Sequence, residues 1–215
     1  MGLRHPSQEE IKNMKLGPRY KLARRLGSPI FEKTQTQKYA LSLARKEKKG
    51  KRPSNRNKSE FAIQLLEKQK ARFSYGISEK QFRNYVMKAL KSDDPVQKLF
   101  TLLENRLDNV LYRAGFSKTR AQGRQAASHG HALVNGRKAT IPSMSLKGGD
   151  KVSIRAGVAD SPIYMEAEER MKEAITPAWL AVDSVKKEAE IKSLPVYAPS
   201  ENVFDLGAVI EFYNR

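Results

Sequence analysis

Two short stretches of this sequence carry side chains suited to gripping phosphate. In "TRAQGRQAASHG" (119–130), Arg120, Arg124 and Ser128 recur at intervals of four, so a helix would set them on one face, with Lys118 just before its start. In "HALVNGRKATI" (131–141), Asn135-Gly136 is the favoured tip of a two-residue type I′ hairpin, because both positions need positive φ. Arg137 and Lys138 follow at once, two cations that nothing nearby in the sequence neutralises. A guanidinium offers phosphate a planar fork of N–H donors and an ammonium offers a point charge, so this set can hold a polyanion in register.

Groups that could do covalent chemistry are missing or isolated. The chain has no cysteine, hence no disulfide, thiolate zinc site or Cys nucleophile. His129 and His131 come without the Cys or paired carboxylate that would complete a metal site. "KGGDK" (147–151) lacks the spacing of a P-loop. Asp108 in "DNVLYR" is a single carboxylate, the usual state of a local salt-bridge partner. The reading is a protein that is not an enzyme and needs no cofactor or metal.

Charge points the same way. The 215 residues include 41 Lys and Arg against 23 Asp and Glu, a formal charge of +18. Residues 1–60 hold 17 of these cations and 5 anions, residues 61–159 hold 18 and 7, and residues 160–215 hold 6 and 11. Two basic segments followed by an acidic one imply one surface for nucleic acid or an anionic membrane and another for something else. No apolar run approaches the roughly 18 residues of a membrane span. The N-terminus has no apolar signal core, and Pro6 sits where a myristoylation signal wants Ser or Thr, so an intracellular soluble protein is expected. At 39% hydrophobic the chain can bury a core, divided between two modest domains.

The positioning elements are partly legible. Residues 1–58 are basic, poor in large apolar side chains and broken by Gly and Pro, most of all in the charged run 44–58, so the whole segment 1–58 is expected to be mobile without RNA and ordered on it. Within that segment Leu22, Leu26 and Ile30 recur at helical spacing. "SEKQ" (78–81) reads as a capping box, followed by the stripe Phe82, Tyr85, Val86, Ala89 and Leu90. Asp94-Pro95 opens the next helix, whose stripe Val96, Leu99, Phe100, Leu103, Leu107, Val110, Leu111 and Ala114 runs on to Gly115.

Arg106 and Arg113 fall on one flank of that stripe, a position usually just solvated. "TRAQ" (119–122) is a second capping box, and Gly130 closes its helix. The face carrying Arg120 and Arg124 reads as polar, so their removal is expected to leave the fold alone. Gly123 inside that helix costs about 1 kcal/mol relative to Ala, and the sequence gives no reason for it. In "SLKGGDKVSIRA" (145–156), Val152 and Ile154 share one side of a strand. Residues 103–157 thus read as two short helices and a small sheet, with Lys118, Arg120, Arg124, Arg137, Lys138 and Lys147 gathered near element ends. A charged helix (166–174) follows, then Trp179 as a packing anchor and a β-branched, aromatic ending, "AVIEFYNR".

The stretch "RLDNVLYRAGFSKTRAQGRQAASHGHALVNGRKATIPSMSLKGGDKVSIR" (106–155) resembles the RNA-binding module first described in the bacterial small-subunit ribosomal protein S-four. Alone, the module is compatible with pseudouridine synthases, a tyrosyl-tRNA synthetase appendage or quality-control factors. The flanks "LGPRYKLARRLG" (16–27), "LLEKQKARFSYGISEKQFRNYVMKA" (65–89), "PAWLAVD" (177–183) and "VIEFYNR" resemble the S-four ribosomal protein family itself, in the same order. "KKGKRPSNRNKSEF" (48–61) stands where relatives carry a Cys cluster or a Pro-Gly-Gln-His-Gly stretch, and "GRQAAS" stands where they place a large aliphatic.

The resemblance implies an α+β, mainly helical fold. A helical domain (59–102 and 158–215) would receive an inserted αβ RNA-binding module (103–157), two short helices packed on a small antiparallel sheet, after a basic N-terminal extension (1–58). It implies a small-ribosomal-subunit constituent, in the cytoplasmic ribosome, that binds the five-prime domain of small-subunit rRNA early in assembly. It also implies a neighbour in protein S-five, a place near the mRNA entry side and an effect on translational accuracy. Its RNA contacts would be Arg19, Lys21, Arg24, Arg25, Arg83, Arg106, Arg113, Lys118, Thr119, Arg120, Arg124, Gln125, Ser128, His129, Asn135, Gly136, Arg137, Lys138 and Lys147. The rivals are a free RNA-binding regulator and the targeting arm of an RNA-modifying enzyme. The latter would need a catalytic domain of roughly 150 residues or more, whereas what lies outside the module is basic tail and helices without a catalytic constellation.

Overall fold

Local signals decide where most helices begin in the computed structural model, which describes residues 17–48, 59–159 and 161–215. Helices α1 (Arg19–Leu26) and α2 (Gln37–Lys48) precede α3 (Glu60–Tyr75), where the Ser59 hydroxyl accepts from the Ala62 N–H at 3.3 Å. Ser78 and Gln81 form the reciprocal capping box that opens α4 (Glu79–Ala89). Asp94 accepts from the Gln97 N–H at 3.0 Å, and Pro95 is the first residue of α5 (Pro95–Glu104).

The stripe that reads as one helix from Pro95 to Ala114 is broken in two. Helix α6 (Leu107–Arg113) starts afresh because Arg106 is extended, at φ −71° and ψ 138°. The loop 142–146 stabilises the break: the Asn105 carbonyl accepts from Leu146 N–H at 2.8 Å, and Leu107 N–H donates to the Met144 carbonyl at 2.9 Å. The apolar spacing survives the break because Leu103 and Leu107 are both fully buried on either side of it.

Helix α7 (Arg120–Ser128) is capped by Thr119, whose hydroxyl accepts from Gln122 N–H at 3.1 Å. The return half of the expected box shifts by one residue, since the Gln122 side-chain oxygen Oε1 accepts from Lys118 N–H at 2.7 Å. Strands β1 (Ala132–Val134) and β2 (Arg137–Ala139) then form the hairpin, with Asn135 at φ 51° and Gly136 at φ 76° and Val134 opposite Arg137. β3 (Lys151–Ile154) pairs with β1.

The sheet is larger than residues 103–157 suggest. After the short helices α8 (Ala156–Ala159), α9 (Pro162–Met165) and α10 (Ala167–Glu173), the chain adds β4 (Leu180–Asp183) and β5 (Glu188–Ile191). All neighbours are antiparallel in the order β2-β1-β3-β5-β4, with Val152 opposite Ala189. The ending, for all its β-branched residues, is helix α11 (Leu206–Tyr213), capped by Asp205. Leu206, Val209 and Ile210 are buried at helical spacing, and that burial overrides strand propensity.

Two main cores result. One gathers Leu107, Val110, Phe116, Leu146, Val152, Tyr164, Trp179 and Ile191 under the sheet, so Trp179 is the anchor the sequence suggests. The other gathers Tyr75, Phe82, Val86, Leu99, Phe100, Leu103, Phe204 and Leu206 between α3, α4, α5 and α11. A third, small cluster of Ala23, Leu26, Ile30, Phe31 and Tyr39 packs against Leu66 and Phe73 of α3. Residues 17–48 are therefore structured although they are apolar-poor, because α3 supplies the surface they cannot supply themselves. From residue 49 to residue 58 the charged run lies outside the described residues.

Gly123 now has a reason. A Cβ built on it would lie 2.5 Å from the carbonyl oxygen of Asp108, so α7 lies too close to α6 for any side chain there. Gly123→Ala should lower the melting temperature: overpacking costs about 1–3 kcal/mol, and so close a backbone contact belongs at the top of that range. Helix propensity returns only about 1 kcal/mol. Thermal unfolding followed by circular dichroism checks this, and a more stable variant would contradict the close approach.

Candidate RNA interface

Where α5, α6 and α7 meet, three arginines bind two buried carboxylates and a fourth, Arg120, packs beside them. Glu104, with no exposed surface, accepts from the Tyr75 hydroxyl at 2.6 Å, from Asn109 Nδ2 at 3.1 Å, and from Arg113 Nε at 2.9 Å and Nη2 at 3.1 Å. Asp108 accepts a two-pronged contact from Arg106, at 2.9 and 2.7 Å, and two further bonds from Arg124, at 2.9 and 2.8 Å. Arg124 also donates to the backbone carbonyls of Tyr75, at 2.9 Å, and Gly76. Arg120 donates Nε to Asn109 Oδ1 at 2.7 Å and lies 4.5 Å from the Tyr112 ring centre and 5.0 Å from that of Tyr75.

This corrects two expectations. Arg106 and Arg113 are not solvated flank residues: Arg106 is 2% exposed and Arg113 is bound to Glu104. The face bearing Arg120 and Arg124 is polar but is turned against α6 and the end of α3, so these side chains hold the fold together. The spacing of four placed them side by side; it could not show that the facing surface is protein.

The electrostatics follow from the packing. Burial alone would push the Glu104 carboxyl up, but Arg113, with help from Arg120 and the Tyr75 hydroxyl, holds it below the usual range. Burial, opposed by the charge of Asp108, leaves the Arg106 guanidinium raised, and burial beside Glu104 raises the Tyr75 hydroxyl well above its ordinary value.

Outside this network lies a cleft of about 780 Å³ between the N-terminal segment and α7. Arg19, Phe31, Phe73 and Gly76 line one side, and Thr119, Arg120, Arg124, Gln125, Ser128 and His129 the other. Arg19 lies 6.0 Å from the Phe31 ring centre. Seven of the sequence-selected residues thus share one concavity. Lys21 and Arg25 are exposed on α1, with Arg24 half-buried, and Arg83 is exposed on α4 away from the cleft lining. Thr119 and Ser128 spend their hydroxyls on Gln122 and on the Arg124 carbonyl.

The hairpin is held stiffly. Asn135 donates Nδ2 to Asp150 at 2.8 Å and accepts from Lys151 N–H at 2.9 Å, which ties the turn to β3. Arg137, Lys138 and Lys147 are exposed, and among the described residues none of them is ion-paired. Lys138 folds across Gly130 at the end of α7, where a Cβ would meet its Cε at 2.1 Å. Lys118 differs, pairing with Glu166 at 2.7 Å. The His129 and His131 rings lie 5.8 Å apart, and among the described residues no group of three or more His, Cys, Asp or Glu could hold a metal. Sequence reasoning missed Glu104 as a hub; its only signal was a carboxylate, four before Asp108, inside an apolar stripe.

Comparison with known proteins settles the family. Residues 14–104 match the family described as the ribosomal protein S4/S9 N-terminal domain, and residues 105–152 match the S4 domain. The small ribosomal subunit protein uS4 of Chromobacterium violaceum is 38% identical over 202 residues, covering 93% of this chain and 98% of that one. The chain belongs to the uS4 family. Relatives of the same name from Paraburkholderia phymatum and Burkholderia thailandensis are 37% and 38% identical over 203 residues, with the same coverage. The two family segments meet between Glu104 and Asn105, so in this uS4-family chain the buried network straddles their boundary. The relatives are named as ribosomal proteins, and the chain is accordingly not an enzyme.

Two outcomes follow from the network. Arg124→Ala strips two bonds from Asp108 and leaves the Tyr75 and Gly76 carbonyls without it, which should cost about 2–3 kcal/mol in denaturant unfolding; an unchanged midpoint would mean that Arg124 is a surface residue. The depressed Glu104 carboxyl contributes stability that is present above its ordinary value of 4.5 and is lost as pH falls through the lower folded value. The protein should weaken steadily below about pH 4.5. Glu104→Gln should start less stable at pH 6 and lose less on acidification; parallel curves would contradict the assignment.

Proposed function

We propose that this chain is a structural constituent of the small ribosomal subunit that binds small-subunit rRNA in the cytoplasmic ribosome. The observation that carries the reading is family membership along 93% of the chain, joined to a cleft lined by Arg19, Gln125 and His129 and a hairpin with exposed Arg137 and Lys138. The finer reading is binding to the five-prime domain of the rRNA early in assembly. It includes contact with neighbouring proteins such as S-five, a place near the mRNA entry side, and an effect on translational accuracy.

Structured rRNA is recognised through phosphates, 2′-hydroxyls and shape, and these side chains suit that task. Among the described residues Arg137, Lys138 and Lys147 make no ion pair, the first two beside a turn pinned by Asn135 and the third in the loop before β3, so phosphate is their natural counter-ion. Arg19, Gln125 and His129 border the cleft as adaptable donors. Arg106, Arg113 and Arg124 act at one remove: their N–H groups are spent inside, and they keep α6 and α7 rigid beneath the RNA-facing groups.

Arg137→Ala separates the two kinds of arginine. It should leave the melting temperature unchanged, weaken binding to a five-prime-domain rRNA fragment by about 1–3 kcal/mol, and flatten the salt dependence by roughly one phosphate contact. Filter binding at several salt concentrations measures this. Unchanged affinity and slope would show that the hairpin charge is only solvated, and failure of the native protein to co-sediment with small subunits at raised salt would overturn the reading as a whole.

A further inference from the structure

The acidic end of the chain builds a second surface that phosphate contacts do not explain. A groove of about 420 Å³ opens beside Trp179 and Phe100 and is bordered by Ile175, Leu194 and Val196. These three are 96%, 62% and 76% exposed, although Trp179 and Phe100 beside them are buried. Scattered exposed aliphatics are ordinary, but three lining one concavity over a buried tryptophan form a patch of the kind that marks a protein contact.

The segment that displays them is pinned on both sides. Lys192 N–H donates to the Trp179 carbonyl at 2.8 Å. The Gln97 side chain donates to the Pro195 carbonyl and accepts from Tyr197 N–H at 2.9 Å, while the Tyr197 and Phe100 rings sit 5.3 Å apart. Leu194 and Val196 are thus held outward by a fixed backbone, so an incoming partner has little chain ordering left to offset.

Charge selects the partner. Among the described residues that line the groove Arg113 is the only cation, and it is bound to Glu104, whereas Glu201 on the same lining makes no ion pair among the described residues. Residues 160–215 carry 11 acidic against 6 basic side chains. An rRNA phosphate would find no free cation in this lining. A protein segment with an aliphatic or aromatic anchor flanked by Lys or Arg would find both an apolar seat and opposite charge.

We propose that this groove is the docking site for such a basic, apolar-anchored segment of a neighbouring small-subunit protein. The proposal rests on the ribosomal placement of the chain. The test is Val196→p-benzoylphenylalanine in protein assembled into small subunits, irradiated and mapped by mass spectrometry. The expected product joins position 196 to a Lys- or Arg-bearing segment of another ribosomal protein. A crosslink to rRNA, to a second copy of this chain, or none at all in intact subunits overturns the docking site while leaving the placement standing. Failure of the chain to enter subunits would overturn the placement, and with it this partner. A Leu194→Ser, Val196→Ser double variant gives a second reading, since both side chains are exposed. It should bind the rRNA fragment as before yet retain the crosslinked neighbour several-fold less in salt-washed particles; equal retention overturns the proposal.

Discussion

A carboxylate shut away from water must be neutralised by the protein around it, and everything else in this molecule is arranged about the way that is done for Glu104. Its desolvation would be prohibitive alone, but a two-pronged arginine, a tyrosine hydroxyl and an asparagine amide supply the partners that water would have supplied. Those partners come from α3 and α6, so satisfying one charge fixes the end of the helical core against the start of the RNA-binding module. Asp108 repeats the arrangement one turn on, recruiting Arg106 from the break between helices and Arg124 from α7. Apolar packing supplies most of the stabilisation; these ion pairs decide which surfaces face each other, because any other docking would strand a buried charge.

The same constraint divides the arginines by task. A basic protein meeting a polyanion could use every cation on it, yet here the arginines nearest the family boundary are turned inward. Their charge is cancelled locally, and what they pass on to the outer surface is rigidity. The exposed cations sit instead on the hairpin, on α1 and along the cleft. Asn135 is the counterpart of the arginines at the hairpin, a polar residue used to hold a turn in place.

Much of this was legible in the sequence. Capping residues Ser78, Asp94 and Thr119, the Asn-Gly turn and the anchor Trp179 all act as their chemistry suggests, because each depends on neighbours within a few positions. What failed depended on distant partners. The apolar stripe 96–114 concealed a break that only the loop 142–146 makes affordable. β4 and β5 lack a strong strand pattern, with Ala181, Ala189 and Glu190 where branched residues would have announced them, and they form because β3 offers an edge. The arginine spacing was read correctly, but whether the facing surface is solvent or another helix is not a property of spacing. Residues 17–48 were judged on their own apolar content, while the surface that orders them belongs to α3.

The return of α11 to α3 has a consequence for how the chain comes to be folded. Gln64 donates to Glu211 at 3.0 Å, and the Phe61 and Phe212 rings lie 5.5 Å apart, so the core opened by residue 60 is closed only once α11 has been made. β3 likewise waits more than thirty residues for β5. During synthesis from the N-terminus, the helical half must therefore stay open while the module between completes its helices and hairpin, its two-helix unit being the first that can satisfy its own contacts. The helical half thus closes last, after the module inserted within it.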